Sequence, residues 1–177
     1  MDERPKLEVA TAIVRRGSEI LLVLQGRTGE KLFWALPGGI VEQGELAPDG
    51  LAREVREETG IVVEKLGRLA YVTQVDDARP PGWLGTVFTF EVDSWSGDLD
   101  VDDPDGVVFD AAFVALDDAV ERLAETEWLS LAARYLRGEI SPGSYHVKRR
   151  LADGRIEIAA AAPAQPEASG SRQRRPG

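Results

Sequence analysis

Leu7 to Val14 is a largely apolar stretch broken only by Glu8 and Thr11, and an unbroken apolar run follows at Ile20-Leu21-Leu22-Val23-Leu24, with Arg16-Gly17-Ser18 between the two. This pattern predicts two strands joined by a turn. Gly26 to Lys31 reads as a loop and Phe33 to Leu36 as a short extended approach to the next element. From Pro48 to Thr59 the period changes: Leu51 and Val55 stand four apart, as on the inward face of a helix, and Gly60 is a natural residue to follow its end. Strand patterns return at Leu66 to Val75, Thr86 to Val92 and Val107 to Val114, separated by the Pro80-Pro81-Gly82 loop and an acidic loop at 96–106. Two helical segments come next, Leu116 to Ala124 and Glu127 to Arg137. The order predicts an α/β sandwich with a mixed central sheet between helices, and no internal repeat interrupts it.

The C-terminal part has its own pattern. Ser144 to Leu151 and Arg155 to Ala160 flank Ala152-Asp153-Gly154, and Asp-Gly between two strand-like runs predicts a β-hairpin. Its expected role is to cover a sheet edge or to form a homodimer contact. From Ala161 onward Ala, Pro, Ser, Gly and Arg alternate, the composition of a disordered tail. The expected organisation is a domain over residues 1–143, a hairpin extension over 144–160 and a tail over 161–177. Arg172, Arg174 and Arg175 are the tail's only candidates for touching an anionic partner.

Composition narrows the function classes. With 177 residues, 43% of them hydrophobic, the chain can bury the core of one domain. Its apolar runs are too short for a transmembrane helix, and Met-Asp-Glu-Arg-Pro-Lys lacks the apolar centre of a signal peptide. Zero cysteines exclude disulfides, zinc thiolate sites and cysteine nucleophiles, and fit a cytoplasmic protein. A net charge of −10 argues against general nucleic-acid binding, which neutralises phosphates with basic residues. An anionic substrate would therefore need metal ions and local arginines.

The helix over 48–59 carries the clearest chemistry. Glu54, Glu57 and Glu58 stand at i, i+3 and i+4, so their side chains leave one side of the helix and are expected to converge. Glu57 and Glu58 also occupy the last turn, where the helix dipole disfavours anions. Clustered carboxylates that break a local rule point to a hard divalent cation, for which magnesium is suited. The same spacing also describes a solvated acidic face, partly neutralised by Arg53 and Arg56.

The flanks change this balance. Gly39, Glu45, Arg53, Glu54, Val55, Glu57, Glu58, Gly60 and Ile61 fall at the spacing of the Nudix box with no insertion, and Trp34-Ala35-Leu36-Pro37-Gly38-Gly39 leads into it. On these residues the chain resembles the Nudix hydrolase family over about residues 7–137. The resemblance implies a Nudix-type α/β/α sandwich and a loop, helix and loop for the box itself. It implies that Glu54, Glu57 and Glu58 hold Mg2+, or Mn2+ in its place, with the Gly39 carbonyl and Glu45 nearby, and that Arg53 positions the carboxylates by ion pairing. The catalytic set is then Arg53, Glu54, Glu57 and Glu58. The reaction implied is attack of water on phosphorus in a nucleoside diphosphate linked to another moiety, such as ADP-ribose, a nucleotide sugar or a dinucleoside polyphosphate, or in a nucleoside triphosphate. The alternative is a Nudix-fold module that binds such a nucleotide without cleaving it, since fold alone does not fix function. Gly50 stands where relatives often have alanine and is expected to cost on the order of 1 kcal/mol within the helix.

Residues that would read the substrate are less distinct. Trp83 and Tyr71 are candidates for stacking on a base and Arg27 and Arg79 for contacting phosphate, although each residue type also packs or is solvated for ordinary reasons. Trp34 reads as structural. Asp98, Asp100, Asp102, Asp103 and Asp105 are candidates for a further base or metal ligand, against a plain solvated loop. His146 is the only histidine, which excludes a multi-histidine metal site.

Overall fold

The structure is a computed structural model that describes residues 4–27 and 29–160. The expected tail at 161–177, with Arg172, Arg174 and Arg175, lies outside the described residues. Its strands are β1 (Lys6–Ile13), β2 (Arg15–Arg16), β3 (Glu19–Gln25), β4 (Phe33–Ala35), β5 (Gly38–Ile40), β6 (Val62–Asp77), β7 (Trp83–Ser96), β8 (Val108–Ala115), β9 (Ser144–Arg150) and β10 (Ile156–Ala160). The helices are α1 (Ala47–Thr59), α2 (Leu116–Ala124) and α3 (Ser130–Leu136), the last preceded by a 3₁₀ turn at Glu127–Leu129.

A six-stranded sheet runs β10-β9-β6-β7-β1-β5, and a smaller one pairs β3 with β2, β4 and β8. The larger sheet is mixed: β1 with β7 and β6 with β9 are parallel, the other neighbours antiparallel. Alternation along β1 sends its side chains to two separate cores. Ala10, Ala12 and Val14 pack with Leu51 and Val55 of α1, whereas Ile13 packs with residues of α2 and α3 such as Leu123 and Leu131. The sheet thus lies between helices, as the α/β sandwich requires. Leu51 and Val55 are fully buried, each contributing roughly 1.5–3 kcal/mol of hydrophobic stabilisation.

Several elements differ from the expected ones. β6 and β7 extend well beyond the expected Leu66–Val75 and Thr86–Val92, because the added residues pair across the two strands, with Val63 opposite Trp95 and both packed against the core beside α1, and charged pairs line the exposed face. Lys65 pairs with Asp93 at 2.8 Å and Arg68 with Glu91 at 2.8 Å. β5 lies in what the sequence presents as the loop before the helix, and it is a strand only because β1 offers it a backbone edge. The expected helix at 127–137 is divided into a 3₁₀ turn and α3.

The C-terminal strands form an antiparallel hairpin, with Ile158 opposite Lys148. Its first strand continues the main sheet by parallel pairing with β6, from Tyr71 opposite Ser144 to Asp77 opposite Arg150. The hairpin therefore covers the β6 edge and places β9 side chains on the same sheet face as those of β6. Among the described residues no helix is long and apolar enough to cross a membrane.

Candidate functional site

The acidic cluster is built by α1 and the strand before it. α1 starts after Leu46 with Pro48 in its first turn, where a missing N–H costs nothing. It ends at Gly60, whose φ of +77° closes the helix with its N–H on the Arg56 carbonyl. Gly60 also lets the acidic loop approach: a Cβ there would lie 2.6 Å from the Asp98 carbonyl oxygen.

Arg53 is the hub. Its Nε and Nη2 donate to the two Glu45 oxygens at 3.1 Å each, and its Nη1 donates to Glu54 at 2.9 Å and Glu57 at 3.1 Å. Nη2 also reaches the Ile40 carbonyl at 3.0 Å. This fork ties the loop before α1, strand β5 and the helix face together, as a planar guanidinium does better than an ammonium. The Arg53 pairing holds the Glu45 carboxyl below its ordinary range, helped by the Glu42 N–H, and the carboxylates raise the pKa of Arg53.

Glu54 and Glu58 are pushed the other way. Burial is the main cause at both, opposed at Glu54 by Arg53 and at Glu58 by the Gly38 N–H, which donates at 2.7 Å. Glu58 is only 4% exposed and rises to about 8, with the charges of Glu54, Asp103 and Glu57 adding to the burial effect. Gly39 lies against the Glu54 carboxyl so closely that a Cβ would fall 2.5 Å from it. The glycine at 39 is thus a cradle that only a bare Cα supplies.

Glu54, Glu57 and Glu58, expected to converge, divide between two partners. Glu54 and Glu57 share one nitrogen of Arg53, while Glu58 turns to the Gly38 N–H. Among the described residues no three Asp, Glu, His or Cys side chains are gathered as a ready metal cage. The physical reason is that each carboxyl takes the nearest positive charge or N–H donor on offer. The donor set nonetheless suits a hard divalent cation. It consists of oxygen atoms, it carries more carboxylates than one guanidinium neutralises, and two of them are destabilised as anions where they stand. Gly50 gains a reason too: a Cβ there would lie 2.8 Å from a Glu45 oxygen, so the glycine leaves room for the carboxylate that Arg53 holds.

The acidic loop lies across the end of α1. Asp100 N–H donates to the Thr59 carbonyl and Asp102 N–H to that of Glu57, leaving an open groove of about 840 Å³ lined by Arg53, Arg56, Glu57, Asp98, Asp100 and Asp102. Asp103 has a structural task, accepting the N–H groups of Asp105, Val107 and Val108.

On the other side of Gly38 lies a smaller, mostly apolar cavity of about 210 Å³, lined by Tyr71, Trp83, Trp128 and Lys148 among others. Trp83 stands here, edge-on to Trp128 with ring centroids 6.5 Å apart. Tyr71 is buried, its ring packed with those of Tyr135 and His146. His146 is a packing residue whose Nε2 is 2.9 Å from Ser144 Oγ, and burial lowers its pKa. Arg27 and Arg79 line a neighbouring groove with Asp77, Trp83 and Arg150, which none of the α1 glutamates lines. Trp34 packs on the core under the Arg122 guanidinium, 4.7 Å from its ring centre. Trp128, Thr73 and Lys148 were not legible as site residues. Trp128 sits in an apolar helical pattern, and the alternation along β9 marks Lys148 only as one side of a strand.

Residues 5–136 match the family profile described as NUDIX domain. The chain is 34% identical over 91 residues to an ADP-ribose pyrophosphatase of Methanocaldococcus jannaschii, covering 51% of this chain and 53% of that protein. It is 33% identical over 92 residues to an uncharacterized Nudix hydrolase of Bacillus subtilis, covering 50% and 55%. The chain thus spans about half the length of these curated relatives. Among solved structures it is similar to a MutT NUDIX hydrolase from Burkholderia pseudomallei, with a TM-score of 0.56 and 30% identity over 64% of this chain and 86% of that one.

Proposed function

The chain belongs to the Nudix family, and on that premise we propose that it is a metal-dependent hydrolase of a phosphoanhydride in a nucleoside diphosphate linked to another moiety, or in a nucleoside triphosphate. The observation that carries this reading is the acidic cluster of α1 and its flank, in which Glu45, Glu54 and Glu57 share a single Arg53 while Glu58 is buried on a backbone N–H. Such a cluster attracts a divalent cation and, through it, a diphosphate.

Glu54, Glu57 and Glu58 would hold the cation, Mg2+ or Mn2+, with the Gly39 carbonyl and Glu45 beside them. When bound, it supplies charge neutralisation of the phosphate oxygens and makes water a competent nucleophile near neutral pH. The residues of this chain do the positioning. Arg53 keeps Glu45, Glu54 and Glu57 within reach of one another, and the Gly38 N–H fixes the Glu58 carboxyl. A substrate such as ADP-ribose, which the archaeal relative's name specifies, has the required diphosphate.

The test is product release from a panel of ADP-ribose, nucleotide sugars, dinucleoside polyphosphates and nucleoside triphosphates, with and without Mg2+, in water carrying heavy oxygen. Label in a phosphate-containing product is expected. Label only in a non-phosphate product, or equal rates on simple phosphomonoesters, would overturn the reading.

A further inference from the structure

The cavity beyond Gly38 has a built floor. Strand register places Thr11 of β1 opposite Thr89 of β7, Thr89 opposite Tyr71, and Val87 opposite Thr73 of β6; Val75 stands opposite Lys148 of β9. Neighbours in register share a sheet face, as do residues two apart on a strand. These side chains therefore form one surface, roofed by Trp128, Leu129 and Leu131 with Trp83 at its rim.

Its polar groups are left with unused capacity. Thr11 and Thr89 satisfy each other at 2.9 Å, but Thr73, 2% exposed, has a hydroxyl oxygen with no hydrogen-bond partner. A buried unpaired hydroxyl in a native fold calls for an explanation. Lys148 is 7% exposed and donates to the Trp128 carbonyl at 2.5 Å, yet an ammonium has three N–H donors. Among the described residues none that lines the cavity carries a carboxylate, and the nearby Asp77 is held by Arg150 at 3.3 Å. Burial lowers the Lys148 pKa to about 8, in keeping with a cation that no anion there compensates.

The complement of this surface is flat, apolar on its faces and rich in acceptors at its edge. A phosphate fits poorly, since one ammonium among valines and leucines would have to desolvate a dianion. At about 210 Å³ the space is below the roughly 300–1,000 Å³ of pockets that take a whole drug-sized ligand, so it suits one ring system. We propose that this cavity takes a nucleobase bearing a carbonyl oxygen, with Lys148 donating to that oxygen and the Thr73 hydroxyl partnered by the same ring. An amino group at that position would face the ammonium donor to donor. The residue that sets the preference then comes from the C-terminal hairpin, outside the family match at 5–136.

This inference deepens the hydrolase reading and rests on it for the rest of the substrate, so its test has an arm independent of hydrolysis. Inosine and adenosine, which differ in a carbonyl against an amino group, are titrated calorimetrically into the metal-free full chain. In parallel, kcat/KM is measured with Mg2+ for ADP-ribose and its inosine counterpart. At least a tenfold preference for the inosine forms is expected in both arms, lost in Lys148→Met and reduced in Thr73→Val, because a site built to hydrogen-bond a group rejects the analogue lacking it. Thr73→Val is nearly isosteric and keeps the test valid if Lys148→Met fails to fold. Preference in the binding arm without hydrolysis supports the pocket while removing the hydrolase. Hydrolysis with equal rates and affinities for both bases, absence of nucleoside binding, or a preference that survives both substitutions overturns the inference.

Discussion

Gly38 donates its backbone N–H to Glu58 Oε2 at 2.7 Å while also lining the cavity floored by Thr73 and Lys148. One residue thus joins the acidic cluster to the ring-sized pocket, and a substrate whose diphosphate lies on the cluster can place its base in the pocket. Gly38 has a φ of +134°, and a Cβ there would lie 2.2 Å from the Ala10 carbonyl oxygen. Gly38→Ala should therefore destabilise the fold by about 3 kcal/mol or more, read from chemical denaturation. Unchanged stability would show that β5 can move away from β1 without cost.

Glu58 makes stability depend on pH in the metal-free protein. Its folded pKa of about 8 lies above the ordinary carboxylate value of 4.5, so between these values the folded state keeps a proton that the unfolded state has lost. Stability from this group is full below the lower value and declines as pH rises through the upper one. In chelator, the Tm difference between wild type and Glu58→Gln should shift steadily against the wild type from pH 4.5 to pH 8. A difference independent of pH would mean that Glu58 titrates normally.

Hydrolysis should require a divalent cation and vanish in chelator. Glu57→Gln and Glu58→Gln should each lower kcat by orders of magnitude without loss of fold, because removing a carboxylate relieves repulsion in the metal-free cluster. Normal turnover in either variant would refute the assignment of the metal ligands.

Arg53→Lys should behave much like Arg53→Ala. The guanidinium serves Glu45, Glu54, Glu57 and the Ile40 carbonyl at once, and an ammonium cannot span them. Either change is expected to cost roughly 1–3 kcal/mol of stability and at least tenfold in kcat/KM. Full activity in Arg53→Lys would reduce Arg53 to a counter-charge.

Ending the chain before Ser144 should destabilise it strongly. β9 supplies the parallel partner of β6 from Tyr71 to Asp77, and its loss would bare a sheet edge prone to pairing with other chains. Aggregation or a large fall in Tm is the expected outcome in light scattering and thermal melts. A soluble, equally stable fragment would mean that the hairpin is an accessory to the sheet.

Local rules and fixed spacing make part of this protein legible before it folds. The period of Leu51 and Val55 and the closing Gly60 define α1 almost to its ends. The box spacing picks out Gly39, Glu45, Arg53, Glu54, Glu57 and Glu58, which the fold brings to one region because a helix and its preceding loop carry them all. Asp153-Gly154 marks the hairpin because that turn chemistry is local.

The remaining features arise only in three dimensions. β5 exists only by pairing with β1, and the direction of each glutamate depends on which donor lies nearest, Arg53 or the Gly38 N–H, which are 15 residues apart in the chain. Lys148 and Thr73 are ordinary strand residues until β9 is laid parallel to β6 and Trp128 is folded over them. Spacing along one element sets which side chains share a face, whereas burial and leftover hydrogen-bonding capacity arise only where distant elements meet.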